Sequence, residues 1–102
     1  MIVSTCGTSA GIIHLAAAGE VDLDTADDLA QAVARAISTE GVVAIVVDFS
    51  QITFCDSSGL HALDHSYHQA HLRGLDFRVT NPQHNVRRLL ELTGLSELLT
   101  AS

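Results

Sequence analysis

Two adjacent serines stand near the middle of the chain, in the run Asp56-Ser57-Ser58-Gly59. A serine hydroxyl can act as a nucleophile, and this combination of Asp, Ser and Gly is also typical of a helix N-cap. The apolar residues that follow have helical spacing and are Leu60, Leu63 and Tyr67. The sequence therefore predicts that both hydroxyls lie at a helix start, and a plain capping role remains an alternative to a functional one.

An enzyme would need a base and oxyanion donors arranged around the nucleophile. Ser57 lacks the Gly-x-Ser-x-Gly elbow of a hydrolase, because Cys55 stands where that motif requires glycine. The chain contains no lysine, so no phosphate-binding Gly-x4-Gly-Lys loop exists. We therefore expect a protein that is not an enzyme, holds no cofactor and is more plausible as a substrate than as a catalyst.

Three histidines follow the serines. His61 and His65 have the i, i+4 spacing that can place two imidazoles on one metal ion, and His68 extends the row. No cysteine or acid is arranged to complete such a site, and the row lies away from the apolar stripe of the helix. We favour a solvated polar face over a metal site.

The helix with the serines is preceded by an apolar run at positions 42–47, in which every residue except Ala44 is β-branched, and Asp48 ends this run. Such an unbroken run predicts a central strand covered on both faces. Residues 50–55 are then predicted to cross the surface. The helix should run from Ser57 or Ser58 to about Arg73, where Gly74 ends it.

The remaining elements follow from periodicity and turn residues. Residues 11–18 predict a strand paired in an edge hairpin with a short strand near residues 2–3, and Asp24 or Thr25 is expected to cap the first helix. Residues 75–80 predict a strand. Asn81 and Pro82 predict the start of a third helix, which Gly94 should end. A last helical turn is expected at Leu95, Leu98 and Leu99.

This order, β-β-α-β-α-β-α-α, predicts a single α/β domain with a mostly parallel sheet of four to five strands. Sites in such sheets form outside the carboxyl ends of the strands. Residues 19–22, 49–58 and 80–81 all follow strands and should gather at one edge. Asp22 and Asp24 would then lie beside Asp56, Ser57 and Ser58.

The amino-acid composition limits the kinds of partner that the protein is expected to bind. Twelve acids against five arginines give a formal charge of −7, which argues against nucleic acid and against an anionic membrane surface. The start of the chain lacks the pattern of a secretory signal, and this favours the cytoplasm. The same charge favours a monomer. Cys6 and Cys55 are expected to be free thiols; Cys55 could be reactive at a helix start or simply buried.

Three motifs together resemble one family. They are Gly-Glu-Val-Asp at residues 19–22, the central Asp-Phe through Phe-Cys-Asp-Ser-Ser-Gly-Leu at residues 48–60, and Leu-Thr-Gly-Leu at residues 92–95. The whole chain, residues 1–102, looks like a STAS domain, and in particular a small anti-sigma factor antagonist. The central motif is the specific one, since it resembles that family's phosphorylation motif.

The resemblance implies a partner-switching protein. Such a protein binds an anti-sigma factor that is also a serine kinase and is inactivated by phosphorylation, here at Ser57, which a metal-dependent serine phosphatase reverses. His61 departs from the small residue usual at its place. The partner would meet a docking edge made of Asp22, Asp24, Asp56, Ser58, Gly59, Leu60 and His61.

Other functions stay open at this point. The chain could be a STAS subunit of a stressosome or of a lipid-transport complex. A small hydrolase or a metal-binding protein is a further alternative. On the preferred interpretation, phosphorylation would add about −1.5 to −2 charge at the helix start and exclude the partner without unfolding the domain.

Overall fold

A computed structural model describes residues 1–96. Its elements follow the predicted order as far as the third helix. Of the last predicted helical turn, Leu95 is helical, whereas Leu98 and Leu99 lie outside the described residues. The elements are β1 (Ile2–Ser9), β2 (Ile12–Val21), α1 (Ala26–Ile37), β3 (Ala44–Cys55), α2 (Ser57–Leu72), β4 (Asp76–Thr80) and α3 (His84–Thr93).

The four strands form one sheet in the order β1-β2-β3-β4. β1 pairs with β2 in antiparallel fashion, whereas the other two pairings are parallel. This confirms the mostly parallel sheet and the hairpin at its edge. The prediction of a short first strand was wrong, because the Ser/Thr-rich leader belongs to β1 and the turn is confined to Ala10 and Gly11, both at positive φ.

The core lies on one face of the sheet. Along β3, Ile45, Val47 and Phe49 are fully buried, while the intervening Val46 and Asp48 are only half-buried. The prediction of a central strand covered on both faces was therefore wrong. The apolar run conceals an alternation in which every second side chain faces the helices.

β3 is also longer than predicted. Residues 50–55, expected to cross the surface, continue the strand, because β2 runs beside them until Val21 pairs with Cys55. The β2–β3 pairing has two register shifts, and each places one extra residue on β3. β4 ends earlier, where Thr80 pairs with Asp48.

The first two helices agree with the sequence patterns. The buried face of α1 consists of the five residues that the pattern selects, namely Leu29, Ala32, Val33, Ala36 and Ile37. α2 begins at Ser57 and ends just before Gly74, which has φ +71°. Together these helices cover the buried face of the sheet and place the start of α2 at the end of β3.

The third helix begins later than predicted. Its N-cap residue is Gln83, not Asn81, because Asn81 adopts a left-handed conformation at φ 54°. The side chains of Gln83 and Asn85 donate hydrogen bonds to the carbonyl oxygens of Ser50 (2.9 Å) and Thr53 (3.0 Å) on β3. α3 thus occupies the side of β3 that β4 leaves free, and Gly94 ends it as predicted.

Candidate functional site

The start of α2 is fixed to the end of β2. The Asp56 N–H donates to the carbonyl oxygen of Val21 at 3.1 Å. The Asp56 carboxylate then accepts from the N–H groups of Ser58 (2.9 Å) and Gly59 (3.2 Å). Asp56 is therefore the N-cap, and Ser57 and Ser58 are the first two helical residues, as the sequence predicts.

Gly59 packs closely against the ends of β2 and β3. A Cβ at this position would lie 2.6 Å from the Cys55 Sγ and 2.8 Å from the Val21 Cγ1. Both neighbours are buried. The glycine is thus required by packing and holds the serines close to the strand ends.

Replacing Gly59 with alanine should lower the free energy of unfolding by about 1–2 kcal/mol, since overpacking outweighs the better helix propensity of alanine. Urea unfolding would measure this change. Gly7→Ala is the matched control, because a Cβ there meets nothing within 4 Å. Equal unfolding midpoints for the two variants would contradict the packing requirement.

The acidic turn between β2 and α1 makes its hydrogen bonds internally. The Asp22 Oδ1 accepts from the N–H groups of Asp24 (3.0 Å) and Thr25 (3.1 Å) and from the Thr25 hydroxyl (3.0 Å). Thr25 stands at the N-cap position of α1, yet its side chain makes no capping bond to that helix. The Asp22 carboxylate is therefore held within the turn by these three hydrogen bonds.

A pocket of about 580 Å³ opens beside the serines, and we call it the serine pocket. It is lined by Leu23, Ala26, Asp27, Ala30, Ser57, Ser58, His61, Ala62 and His65. The structure thus brings the α2 start next to the first turn of α1. Asp22, Asp24 and Asp56 are not among its lining residues.

Leu23 and Asp27 are the site residues that sequence analysis missed. Leu23 is 81% exposed, which is unusual for a large apolar side chain. Its signal in the sequence was a single leucine between two aspartates in a turn. Asp27 lies in the first turn of α1 and lines the same pocket as Ser57.

The predicted site residues differ in exposure. Ser57 and His61 are exposed, Ser58 and Leu60 are half-buried, and Gly59 is buried. His65 and His68 are also exposed, which confirms the polar face of α2. Within residues 1–96, no three His, Cys, Asp or Glu side chains are grouped so that they could hold a metal ion.

The sequence left open whether Cys55 is a reactive thiol at a helix start or simply a buried residue. In the structure it is buried. Burial, with a smaller contribution from the charge of Asp56, raises the pKa of its thiol to about 11. The thiolate is therefore scarce near neutral pH, and a helix start does not activate it. Cys6 is exposed on β1.

One thiol, that of Cys6, should react rapidly with iodoacetamide near neutral pH in the folded protein. Mass spectrometry would follow the time course, and both thiols should react in denaturant. In Cys6→Ser the rapid phase should vanish, whereas Cys55→Ala should keep it. Rapid labelling of Cys6→Ser would show that Cys55 is accessible and ionised.

Asp48 belongs to a different part of the sheet edge. Its carboxylate accepts from the Ser50 N–H at 2.9 Å, and this bond lowers its pKa below the ordinary value. The Asn81 side-chain amide lies 3.5 Å from the same oxygen. Residues 80–81 therefore gather at Asp48, and the prediction that they would join the serines was wrong because β3 continues past β4.

The fold and this site define a small α/β domain with an exposed serine at a capped helix start. The chain belongs to the STAS domain family, whose model matches residues 7–102.

Individual relatives agree with this assignment. The chain is 28% identical over 89 residues to the anti-sigma F factor antagonist of Paenibacillus polymyxa, which covers 87% of this chain and 76% of that protein. An anti-sigma factor antagonist from Mycobacterium paratuberculosis is 28% identical and superposes with a TM-score of 0.74, covering 96% of this chain and 83% of that chain. The anti-sigma factor antagonist SpoIIAA in its unphosphorylated form is 20% identical, with a TM-score of 0.78 and coverage of 96% and 85%.

The described part of the chain has no helix long and apolar enough to cross a membrane.

Proposed function

We propose that the protein is an anti-sigma factor antagonist that binds an anti-sigma factor with serine kinase activity and is inactivated by phosphorylation at Ser57. One observation carries the choice of residue. Ser57 is exposed at the first position of α2, and the cap of that helix depends on Asp56, not on the serine hydroxyl. The hydroxyl can therefore be modified without loss of the structure that presents it.

Ser58 is the competing residue, and its position favours a structural role. It is half-buried, and its N–H donates to the capping carboxylate. A kinase needs to reach the acceptor oxygen from solvent, and Ser57 meets this need better. Ser58 would then contribute to the partner surface together with Gly59 and Leu60.

The proposed inactivation is electrostatic and steric. A phosphate on Ser57 would carry about −1.5 to −2 charge at neutral pH. It would stand beside the carboxylates of Asp56 and Asp27, in a chain whose formal charge is already −7. A partner surface fitted to a neutral hydroxyl would meet this charge and lose affinity.

The docking edge extends on both sides of Ser57. Asp22 and Asp24 contribute from the acidic turn, where Leu23 offers an exposed apolar contact. His61 adds an imidazole one helical turn beyond Ser57. A serine phosphatase would restore the free hydroxyl, so that the protein cycles between two binding states.

Incubation with an anti-sigma factor kinase from the same organism and ATP tests this function by intact mass. Wild type and Ser58→Ala should each gain one phosphate, and Ser57→Ala should gain none. A phosphate gained by Ser57→Ala would show that the kinase modifies a different residue. Stable binding to the kinase with no phosphate on any variant would remove the proposed switch.

A further inference from the structure

The start of α2 offers few free hydrogen-bond donors to a phosphate on Ser57. The Asp56 carboxylate already accepts from the N–H groups of Ser58 and Gly59. Two of the donors that could have bound the phosphate are thus occupied. The same carboxylate adds a negative charge next to Ser57.

The serine pocket contains few groups that can offset this charge. None of the five arginines of the chain, all in the described part, lines it. Its ionisable lining side chains are Asp27 from α1 and His61 and His65 from α2. A positive charge in this pocket can therefore come only from an imidazole.

His61 has the right position for such a role. It lies four residues after Ser57 on the same helix, a spacing that places two Cβ atoms about 5–6 Å apart. It is exposed, and no carboxylate lies within 4.0 Å of it in residues 1–96, whereas His68 Nε2 lies 3.4 Å from the Asp64 Oδ1. His65 stands one turn further along the pocket.

We propose that His61 is a counterion for phosphate on Ser57, forming an intrahelical pair that exists only in the modified protein. This inference rests on the proposed modification of Ser57. Asp27, which lines the same pocket, would compete for the imidazolium with a single charge. A phosphate dianion on the neighbouring turn provides the stronger attraction.

The pair links the switch to pH. The second ionisation of a serine phosphate has a pKa of about 6. The phosphate loses its second charge as the pH falls through this value, and an imidazolium at position 61 would offset part of the charge that remains. His61 would thus set how strongly phosphorylation acts in mildly acidic conditions.

The test uses protein with phosphoserine inserted genetically at position 57, so that it does not depend on any kinase. Phosphorus NMR between about pH 5 and pH 8 follows the second ionisation of the phosphate. This ionisation should have a midpoint about 0.4 pH unit lower in the His61-containing protein than in His61→Gln, because the imidazolium favours the dianion.

His65→Gln is the matched control, since it removes an exposed imidazole from the same pocket and helix. Its midpoint should equal that of the parent protein, and 1 M salt, at which screening acts over about 3 Å, should reduce the difference caused by His61. Identical midpoints with and without His61, or an equal change in His65→Gln, would overturn the proposal. Failure of the kinase to phosphorylate Ser57 would contradict the proposed function. It would not affect the ionisation midpoint measured on the inserted phosphoserine.

Discussion

Replacing Ser57 with aspartate is expected to weaken binding to the anti-sigma factor by about 100-fold, which corresponds to about 2.7 kcal/mol. The carboxylate would put a permanent negative charge on the exposed first residue of α2, next to Asp56 and in a pocket that Asp27 also lines. A partner that packs against the neutral hydroxyl would have to desolvate this charge. Isothermal titration calorimetry would measure the change.

Two control variants separate charge from size and position. In Ser57→Asn the new side chain has nearly the same volume as aspartate but carries no charge. This variant should lose much less affinity for the anti-sigma factor than Ser57→Asp does. Ser9→Asp adds the same charge to the exposed end of β1, which pairs with the start of β2 at Ile12, whereas the docking edge follows the other end of β2. This variant should bind as wild type does. Wild-type affinity in Ser57→Asp, with its fold intact, would refute the proposed docking edge.

The largest effect on stability is expected at Phe49. Its side chain is fully buried in the middle of β3, among the other core residues of the sheet. Truncation to alanine should lower the free energy of unfolding by about 3–5 kcal/mol, because it removes a large apolar group and leaves a cavity. Small domains have only about 5–15 kcal/mol in total, so the variant should unfold at much lower urea concentration.

The same strand provides a control of the same residue type. Phe54 is 44% exposed, and Phe54→Ala should cost less than about 1.5 kcal/mol, since a partly exposed side chain loses less on truncation. Comparable losses for the two variants would mean that the buried face of β3 has been assigned incorrectly. Circular dichroism during urea titration would measure both.

Local patterns predicted the helices well. The α1 stripe and the Asp56 cap each depend on residues within two turns of one another, so spacing alone selects them. The predicted start of α3 was wrong because it depends on a contact between residues that are distant in the sequence. Asn81 and Pro82 have the composition of a helix start, but Asn81 lies against Asp48, which is far away in the sequence.

The sequence patterns also did not predict that only one face of β3 is buried. The run at positions 42–47 is apolar at nearly every position, so its composition cannot reveal which side chains face the helices. The true length of β3 depends on its pairing with β2 through two register shifts, and no local signal encodes them. The motif resemblance selected Ser57 as the proposed phosphorylation site, whereas the contribution of Asp27 to the serine pocket depends on the packing of α1 against α2.

The bonds from α3 to β3 have a consequence for how other chains can approach. β3 extends beyond β4, and the exposed edge of a strand invites another strand to pair with it. Gln83 and Asn85 occupy the carbonyl oxygens of Ser50 and Thr53 on that edge. Because these two carbonyl oxygens already accept hydrogen bonds, they are not free to pair with an added strand. Self-association by strand addition is therefore disfavoured near the docking edge, where a partner must bind.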